Sequence, residues 1–194
     1  MFGDAQEGPQ NENTPFHPRS VYGISKLAGF HLVRNYRENH GLRACTGILF
    51  NHESPRRGFE FVTRKITSQA ARIKLGLADS LQLGNLDAER DWGHSRDYVK
   101  AMWAMLQRDD PDDYVVSTGV SRSVRSFCER AFSHLDLDYR DYVKTKDEFF
   151  RASEMTPLRG DSGKAEKELG WKVETSFDEM IAEMVESDLA ALQQ

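Results

Sequence analysis

Residues 20–50 read SVYGISKLAGFHLVRNYRENHGLRACTGILF, with a polar start, a long stretch of helical spacing, a glycine and a short apolar end. The spacing predicts a helix from Ser20 to about Gly41, because a glycine supplies the left-handed residue that ends many helices. Its apolar residues at i, i+3, i+4 and i+8 should pack inward: Ile24, Leu27, Ala28 and Leu32. The partly β-branched run Arg43 to Phe50 is typical of a strand buried in a parallel sheet.

The alternation of helices and strands continues along the chain, which indicates an α/β protein. We predict helices at Phe61–Leu75, Ser95–Gln107 and Ser123–His134 and from Asp161 or Ser162 to Leu169, and strands at Ser80–Leu83, Tyr114–Ser117 and Arg140–Lys144. The last helix has the clearest start, since Ser176 and Glu179 form a capping box. No G-x-G-x-x-G run follows a strand in these residues, so the phosphate-binding loop of a dinucleotide-binding βαβ unit is not found.

The composition is that of a globular protein of about one domain. The chain has 194 residues and a formal net charge of -5, which disfavours a general nucleic-acid binder. Cys45 and Cys128 are far apart and form no CxxC pair or His/Cys cluster, so we expect two reduced core thiols and no metal site. No apolar stretch approaches the ~18 residues of a membrane span, and a cytoplasmic location is the default expectation.

Tyr22 and Lys26 are four residues apart and should share one face of the first predicted helix. A nearby ammonium group stabilises a phenolate, which allows a tyrosine to act as a general base. The spacing alone is weak evidence, because Tyr142 and Lys146 have the same spacing and an exposed Tyr/Lys pair is common. The surrounding residues therefore have to decide between a catalytic and a structural tyrosine.

A polar segment follows the first predicted strand and reads Asn51-His52-Glu53-Ser54-Pro55-Arg56-Arg57-Gly58. Ligands of parallel sheets collect at the carboxyl ends of strands, and arginine matches phosphate in a bidentate way. We interpret the segment as a loop suited to phosphate and ribose. A solvated turn containing an Arg–Glu pair is an equally good reading of the composition.

Several blocks of the sequence together resemble the GDP-mannose 4,6-dehydratases of the extended short-chain dehydrogenase/reductase family. The blocks lie in that family's order: Pro15–Lys26, Asn51–Gly58, Phe61–Lys65, Leu83–Asn85, Arg90–His94, Phe150–Glu154 and Gly160–Trp171. The resemblance implies the carboxy-terminal part of a Rossmann-like parallel sheet plus a smaller α/β substrate-binding lobe. Residues 1–60 would be a remnant of the dinucleotide-binding sheet, intermixed with 61–194 as mainly the nucleotide-sugar-binding lobe.

The same resemblance implies roles for single residues. Tyr22 would be the catalytic base and Lys26 its partner, and both would contact NADP together with His52 and Arg57. Seven residues fall where the family holds the GDP-sugar: Asn51, Val62, Lys65, Gly84, Arg90, Arg151 and Glu154. Ala152 and Arg159 depart from the family's pattern, which puts in doubt the local geometry around Arg151.

The implied activity is the conversion of GDP-mannose to GDP-4-keto-6-deoxymannose and water with bound NADP, by an enzyme that forms a homo-oligomer. The family's hydroxyl residue and glutamate for dehydration precede the Met-Phe-Gly that opens this sequence, so we expect a fragment that is inactive alone. Two alternatives stay open. The chain could belong to a nucleotide-sugar epimerase or reductase of the same superfamily, or be a non-catalytic nucleotide-sugar-binding or assembly module.

Overall fold

The computed structural model describes residues 1–5, 8–146 and 158–193. These residues form two compact units, each built from three stretches of chain. Unit 1 lies within Met1–His52, Asp91–Ser121 and Met155–Glu174, and unit 2 lies within Glu53–Arg90, Arg122–Glu154 and Thr175–Gln194. Among the described residues no helix is both long and apolar enough to cross a membrane.

Unit 1 is a short parallel sheet with helices on both faces. Strand β1 (Thr46–Leu49) pairs in parallel with β5 (Asp113–Val116), with Thr46 opposite Asp113. Side chains of a strand alternate between the two faces. One face of β5 packs with helices α3 (Ser95–Met105) and α6 (Gly163–Leu169), and the other packs with helix α1 (Val21–His40).

Helix α1 begins and ends where its local sequence predicts. The Ser20 hydroxyl accepts a hydrogen bond of 3.0 Å from the Gly23 N–H at the amino end, and Gly41 ends the helix with a φ of 64°. A side chain at that φ is strained, which explains the glycine. The predicted helix is therefore confirmed at both ends.

The prediction of which face of α1 is buried is wrong. Ile24 and Leu32 are 56% and 61% exposed, Ala28 is exposed as well, and only Leu27 of the predicted stripe is partly buried. The buried side chain is Phe30, which packs in a cluster with Phe2 and Phe50. Burial of the Phe30 face is favoured because a large aromatic ring removes more apolar surface from water than the smaller residues on the other face.

Helix α1 is also attached to the sheet by an ion pair near its carboxyl end. The Arg37 guanidinium donates to both carboxylate oxygens of Asp113 at 2.8 Å and to the Ala44 carbonyl at 3.0 Å. One carboxylate oxygen of Asp113 also accepts from the Thr46 backbone N–H at 3.1 Å. Both side chains are mostly shielded from water, so this bidentate contact fixes α1 over β1.

Unit 2 is mainly helical. Helix α2 (Val62–Lys74) packs against α4 (Val124–Ser133) and α7 (Phe177–Leu192). Strand β3 (Leu81–Leu83) pairs in parallel with β7 (Val143–Thr145). The capping box of α7 is present, with Ser176 accepting from the Glu179 N–H at 3.2 Å and Glu179 accepting from the Ser176 N–H at 2.8 Å.

Two further predictions need correction. Residues 140–144 do not form one strand, because helix α5 (Tyr139–Tyr142) occupies the first part and only β7 is extended. Asp138 caps that helix by accepting from the Arg140 N–H, which favours a helical turn there. The segment after β1 is also not all loop, since β2 (Asn51–Glu53) is a strand.

A three-stranded sheet has the order β2-β4-β6, with β4 at Glu89–His94 and β6 at Ser121–Ser123. The boundaries between the two units fall within or beside these strands. The other predicted helices and strands are confirmed to within three residues, the largest difference being the start of β1, which was predicted at Arg43 and lies at Thr46.

Candidate active site

The Tyr22/Lys26 pair lies on the exposed side of α1 in unit 1. The Tyr22 side chain is 70% exposed, and the Lys26 Nζ lies 5.3 Å from the centroid of its ring. Gly23 between them is buried, and a Cβ there would approach Pro18 Cβ to 3.2 Å. The start of the helix is thus packed through Gly23 while the phenol and the ammonium are presented together to solvent.

Asn51 and His52 follow β1 in the same unit, at the end of the strand that α1 covers. Asn51 is exposed, whereas His52 is half-buried. The His52 Nδ1 lies 2.9 Å from the Phe50 carbonyl oxygen, and its ring is stacked on Tyr98 with 5.0 Å between centroids. Unit 1 therefore holds four of the predicted site residues.

Arg57 lies in unit 2, where two neighbours orient its guanidinium. Its Nε is 3.1 Å from the Glu53 Oε2, and its Cζ lies 3.6 Å from the centroid of the Phe61 ring. Glu53 is buried and also accepts a hydrogen bond of 2.6 Å from the Thr63 hydroxyl. Burial raises the pKa of the Glu53 carboxyl, and the bond from Thr63 and the charge of Arg57 oppose that rise.

The other predicted residues of unit 2 lie at the start of α2 and on nearby strands. Val62 is the first residue of α2 and is half-buried. One turn later, the Lys65 Nζ donates to the Gln82 carbonyl at 2.7 Å, and Gly84 follows the strand that contains Gln82. Arg90 lies on β4 and donates to the Glu89 carbonyl at 2.6 Å.

The described predicted residues are divided between the two units. Tyr22, Lys26, Asn51 and His52 form the set in unit 1. The set in unit 2 contains Arg57, Val62, Lys65, Gly84 and Arg90. Arg151 and Glu154 lie outside the described residues, as does the remainder of their block.

A family model described as GDP-mannose 4,6 dehydratase matches residues 1–184. The chain belongs to this family. GDP-mannose 4,6 dehydratase 2 of Arabidopsis thaliana is 53% identical over 189 residues, which are 97% of this chain and 50% of that protein. GDP-mannose 4,6-dehydratase of Sinorhizobium fredii is 49% identical, over 99% of this chain and 60% of that protein. The chain spans about half the length of the curated relatives it matches.

Solved structures agree with the fold. The structure of RMD from Pseudomonas aeruginosa complexed with NADPH has a TM-score of 0.87 and 25% identity, and the match covers 94% of this chain and 61% of that one. DesIV, a dTDP-glucose 4,6-dehydratase from Streptomyces venezuelae, has a TM-score of 0.83 and 23% identity, with 96% and 56% covered. The predicted α/β fold with a Rossmann-like parallel sheet is confirmed.

The second Tyr/Lys pair differs from the first in its local structure. Tyr142 ends the short helix α5 and stacks on Phe132, with 6.0 Å between ring centroids. Lys146 lies beyond β7, so extended chain separates the two residues. The equal spacing of the two pairs therefore does not produce an equal arrangement, and only Tyr22 and Lys26 share one helix.

The burial and hydrogen bonds of Asp91 could not be predicted from the sequence, although Asp91 lies within the block Arg90–His94 that resembles this dehydratase family. Asp91 is buried, and one of its oxygens accepts from the Thr118 hydroxyl at 2.6 Å and from the Thr118 N–H at 2.8 Å. The other oxygen accepts from the Gly119 and Gly160 N–H groups at 2.9 and 3.3 Å. Burial raises the pKa of the Asp91 carboxyl, and these hydrogen bonds oppose the rise.

Asp91 therefore holds three separate pieces of unit 1 together beyond the carboxyl end of β5. The only signal in the sequence is an acidic residue beside a tryptophan, Asp91 beside Trp92, and this does not reveal burial. The next block residue, His94, caps α3 by accepting from the Arg96 N–H at 3.0 Å.

Proposed function

We propose that this chain is the part of a GDP-mannose 4,6-dehydratase that carries the oxidation base and residues for the nucleotide sugar. The reaction converts GDP-mannose to GDP-4-keto-6-deoxymannose and water, with bound NADP and no net redox change. The observation that carries the proposal is the family match over residues 1–184, together with a phenol and an ammonium on one exposed helix face in unit 1.

Tyr22 is assigned as the base that takes the proton of the C4 hydroxyl. Its exposure leaves the phenol oxygen accessible to a substrate hydroxyl, and the Lys26 ammonium at the next turn supplies a positive charge 5.3 Å from the centroid of the same ring. A positioned general base contributes typically 10²–10⁴-fold to a rate. The ketone that forms at C4 makes the C5 proton acidic, so water can leave from C6 once that proton is removed. We assign no described residue to that elimination step.

The residues present fit a phosphorylated dinucleotide. Lys26 supplies a cation in unit 1, and Arg57 supplies one in unit 2 whose guanidinium is oriented through Nε. A bidentate phosphate contact uses two guanidinium nitrogens, and an Nε ion pair leaves the two terminal ones for it. When bound, NADP⁺ would supply the chemistry of accepting the C4 hydride and returning it to C6.

The set in unit 2 is assigned to the nucleotide sugar, together with Asn51. Arg90 and Lys65 are the cations suited to the diphosphate, and Val62 and Gly84 supply close apolar or backbone contact. Arg151 and Glu154 belong to the same assignment, which for these two residues rests on the resemblance alone. A homo-oligomeric assembly and a cytoplasmic location complete the proposal.

The test compares Tyr22→Phe with Tyr142→Phe, which changes a tyrosine of the same spacing outside the first helix. Reduction of NADP⁺ by GDP-mannose in a single turnover isolates the first hydride transfer. It is measured with the 194-residue chain and with any longer product that its gene encodes. Tyr22→Phe should slow this step by ~10²–10⁴-fold, and Tyr142→Phe should change it little.

Equal rates for Tyr22→Phe and the parent would remove Tyr22 as the base. Failure of every form to convert GDP-mannose, with conversion of another nucleotide sugar, would replace the proposed substrate and leave the family assignment intact.

A further inference from the structure

The His52 ring is held in one orientation by a backbone contact. Its Nδ1 lies 2.9 Å from the Phe50 carbonyl oxygen, and a carbonyl can only accept a hydrogen bond. The hydrogen must therefore lie on Nδ1. In a neutral imidazole the other nitrogen is then the acceptor, so Nε2 carries the lone pair.

A buried tyrosine also stacks on one face of the His52 imidazole ring. Tyr98 on α3 stacks on His52 with 5.0 Å between centroids and 26° between planes. The Trp171 ring contacts Tyr98 edge to face at 6.2 Å, and the Trp171 Nε1 donates to the Asp97 carbonyl at 2.7 Å. Tyr98 is thus fixed from the side of the protein core and cannot tilt without moving Trp171.

Gly93 supplies the space that Tyr98 occupies. A Cβ at position 93 would lie 2.5 Å from the Tyr98 Cε2, and 2.9 Å from the Thr118 Cγ2. These separations are far below van der Waals contact, so any side chain at position 93 would displace the Tyr98 ring. Gly93 belongs to the block Arg90–His94, and its place next to Tyr98 gives that block a physical role.

We propose that Tyr98, in the space left by Gly93, is a positioning residue that holds His52 in the Nδ1–H form. The Nε2 of His52 then accepts a hydrogen bond from a hydroxyl or amide group of the dinucleotide and does not bind a phosphate. This proposal rests on the proposed function for the identity of the ligand. The orientation and tautomer of His52 rest only on contacts within unit 1.

The tautomer is measured directly in the full 194-residue chain by long-range ¹H–¹⁵N NMR, at pH ~8, where an unperturbed imidazole is neutral. The parent and Tyr98→Phe, which keeps the ring, should show a single Nδ1–H form of His52. Tyr98→Leu and Gly93→Ala should show a mixture of both tautomers, because the ring is free to turn away from the Phe50 carbonyl. The matched control is Tyr114→Leu, which removes another buried tyrosine of the same core cluster without touching His52.

Calorimetric titration with NADP⁺, carried out on the 194-residue chain and on any longer product that its gene encodes, provides the second readout. Tyr98→Leu should weaken NADP⁺ binding by about threefold to tenfold, the effect of one misplaced hydrogen bond. Tyr98→Phe, which keeps the ring, should bind NADP⁺ as tightly as the parent. Saturating NADP⁺ should shift the Nε2 resonance of the parent without protonating it.

An Nε2–H form in the parent, or an unchanged tautomer in Tyr98→Leu, would overturn the proposal. So would a mixture in Tyr114→Leu, since the effect would then be general loosening of the core. Protonation of Nε2 on NADP⁺ binding would overturn the choice of a hydroxyl or amide donor. Absence of NADP⁺ binding in both the 194-residue chain and any longer product of its gene, with the tautomer as expected, would refute the proposed ligand and leave the role of Tyr98 in place.

Discussion

Replacement of Asp188 by Asn tests how much of the stability of unit 2 depends on one buried ion pair. Asp188 on α7 is 3% exposed, and its Oδ1 accepts from the Arg64 Nε at 2.8 Å and pairs with the Arg64 Nη2 at 2.7 Å. The Oδ2 accepts from the Thr67 hydroxyl at 2.7 Å. Arg64 on α2 is 8% exposed, with the Phe59 ring 4.6 Å from its Cζ.

The expected magnitude follows from this burial. Asn keeps the shape of Asp but removes the charge, so the Arg64 guanidinium is left buried without a counter-charge. The amide N–H₂ also replaces one of the two accepting carboxylate oxygens with a donor. Breaking a buried pair by changing one partner costs about 3–5 kcal/mol. Domains are stable by only about 5–15 kcal/mol, so Asp188→Asn should shift the unfolding transition markedly.

The assay is urea unfolding followed by circular dichroism, with Asp178→Asn as the control on the same helix. Asp178 is 63% exposed and lies 3.3 Å from the Arg130 Nε, so its pair should contribute only about 0–1 kcal/mol. The double variant Arg64→Met/Asp188→Leu should recover most of the loss, because two apolar side chains leave no buried charge.

Two results would refute this reasoning. A loss in Asp188→Asn no larger than that in Asp178→Asn would show that the buried pair is not the main link between α2 and α7. A double variant as unstable as Asp188→Asn would show that an uncompensated charge is not the cause of the loss.

Two further predictions concern the nucleotide-sugar residues and the buried thiol. Arg90→Ala should weaken GDP-mannose binding by about 1.5–3 kcal/mol, as measured by calorimetry, because it removes a charge-assisted hydrogen bond. The control Arg122→Ala, on the neighbouring strand, should leave the affinity unchanged. Equal affinities for the parent and Arg90→Ala would exclude Arg90 from the site. Burial raises the pKa of the Cys128 thiol to about 12, so the folded state keeps the thiol proton at a pH where the unfolded chain loses it. The free energy of unfolding is therefore unaffected by this group below about pH 9 and falls as the pH rises towards 12. Between about pH 8 and pH 10.5 the parent should therefore lose about 2 kcal/mol more in urea unfolding than Cys128→Ala, and parallel losses would contradict this shift.

The elements of this protein that could be predicted from sequence are those whose ends depend on nearby residues. Ser20 and Gly41 end α1, and Ser176 with Glu179 begins α7, because caps act over three or four residues of the same chain. The last strand begins at Val143 and not at the predicted Arg140, because Asp138 caps a helical turn just before it. That turn competes with a strand over the same few residues.

The buried face of α1 could not be read from its spacing. The helix carries apolar residues on more than one face, and periodicity alone does not say which face is covered. The answer depends on Phe2 and Phe50, which are distant from Phe30 in sequence but lie in the same cluster. Burial of this kind is a property of the packed sheet and helix together.

By itself, the sequence determined the α/β class, the family and the presence of a tyrosine and a lysine one helical turn apart, because these follow from local spacing and ordered motifs. The motif around Tyr22 already distinguished it from Tyr142 in the sequence. The tertiary structure added the physical difference between them, since equal spacing has different consequences within a helix and across the end of one. It alone also assigned Tyr98 to His52 and Arg64 to Asp188. His52 and Tyr98 are separated by 46 positions in the sequence, and Arg64 and Asp188 by 124. No local rule of spacing applies over such separations.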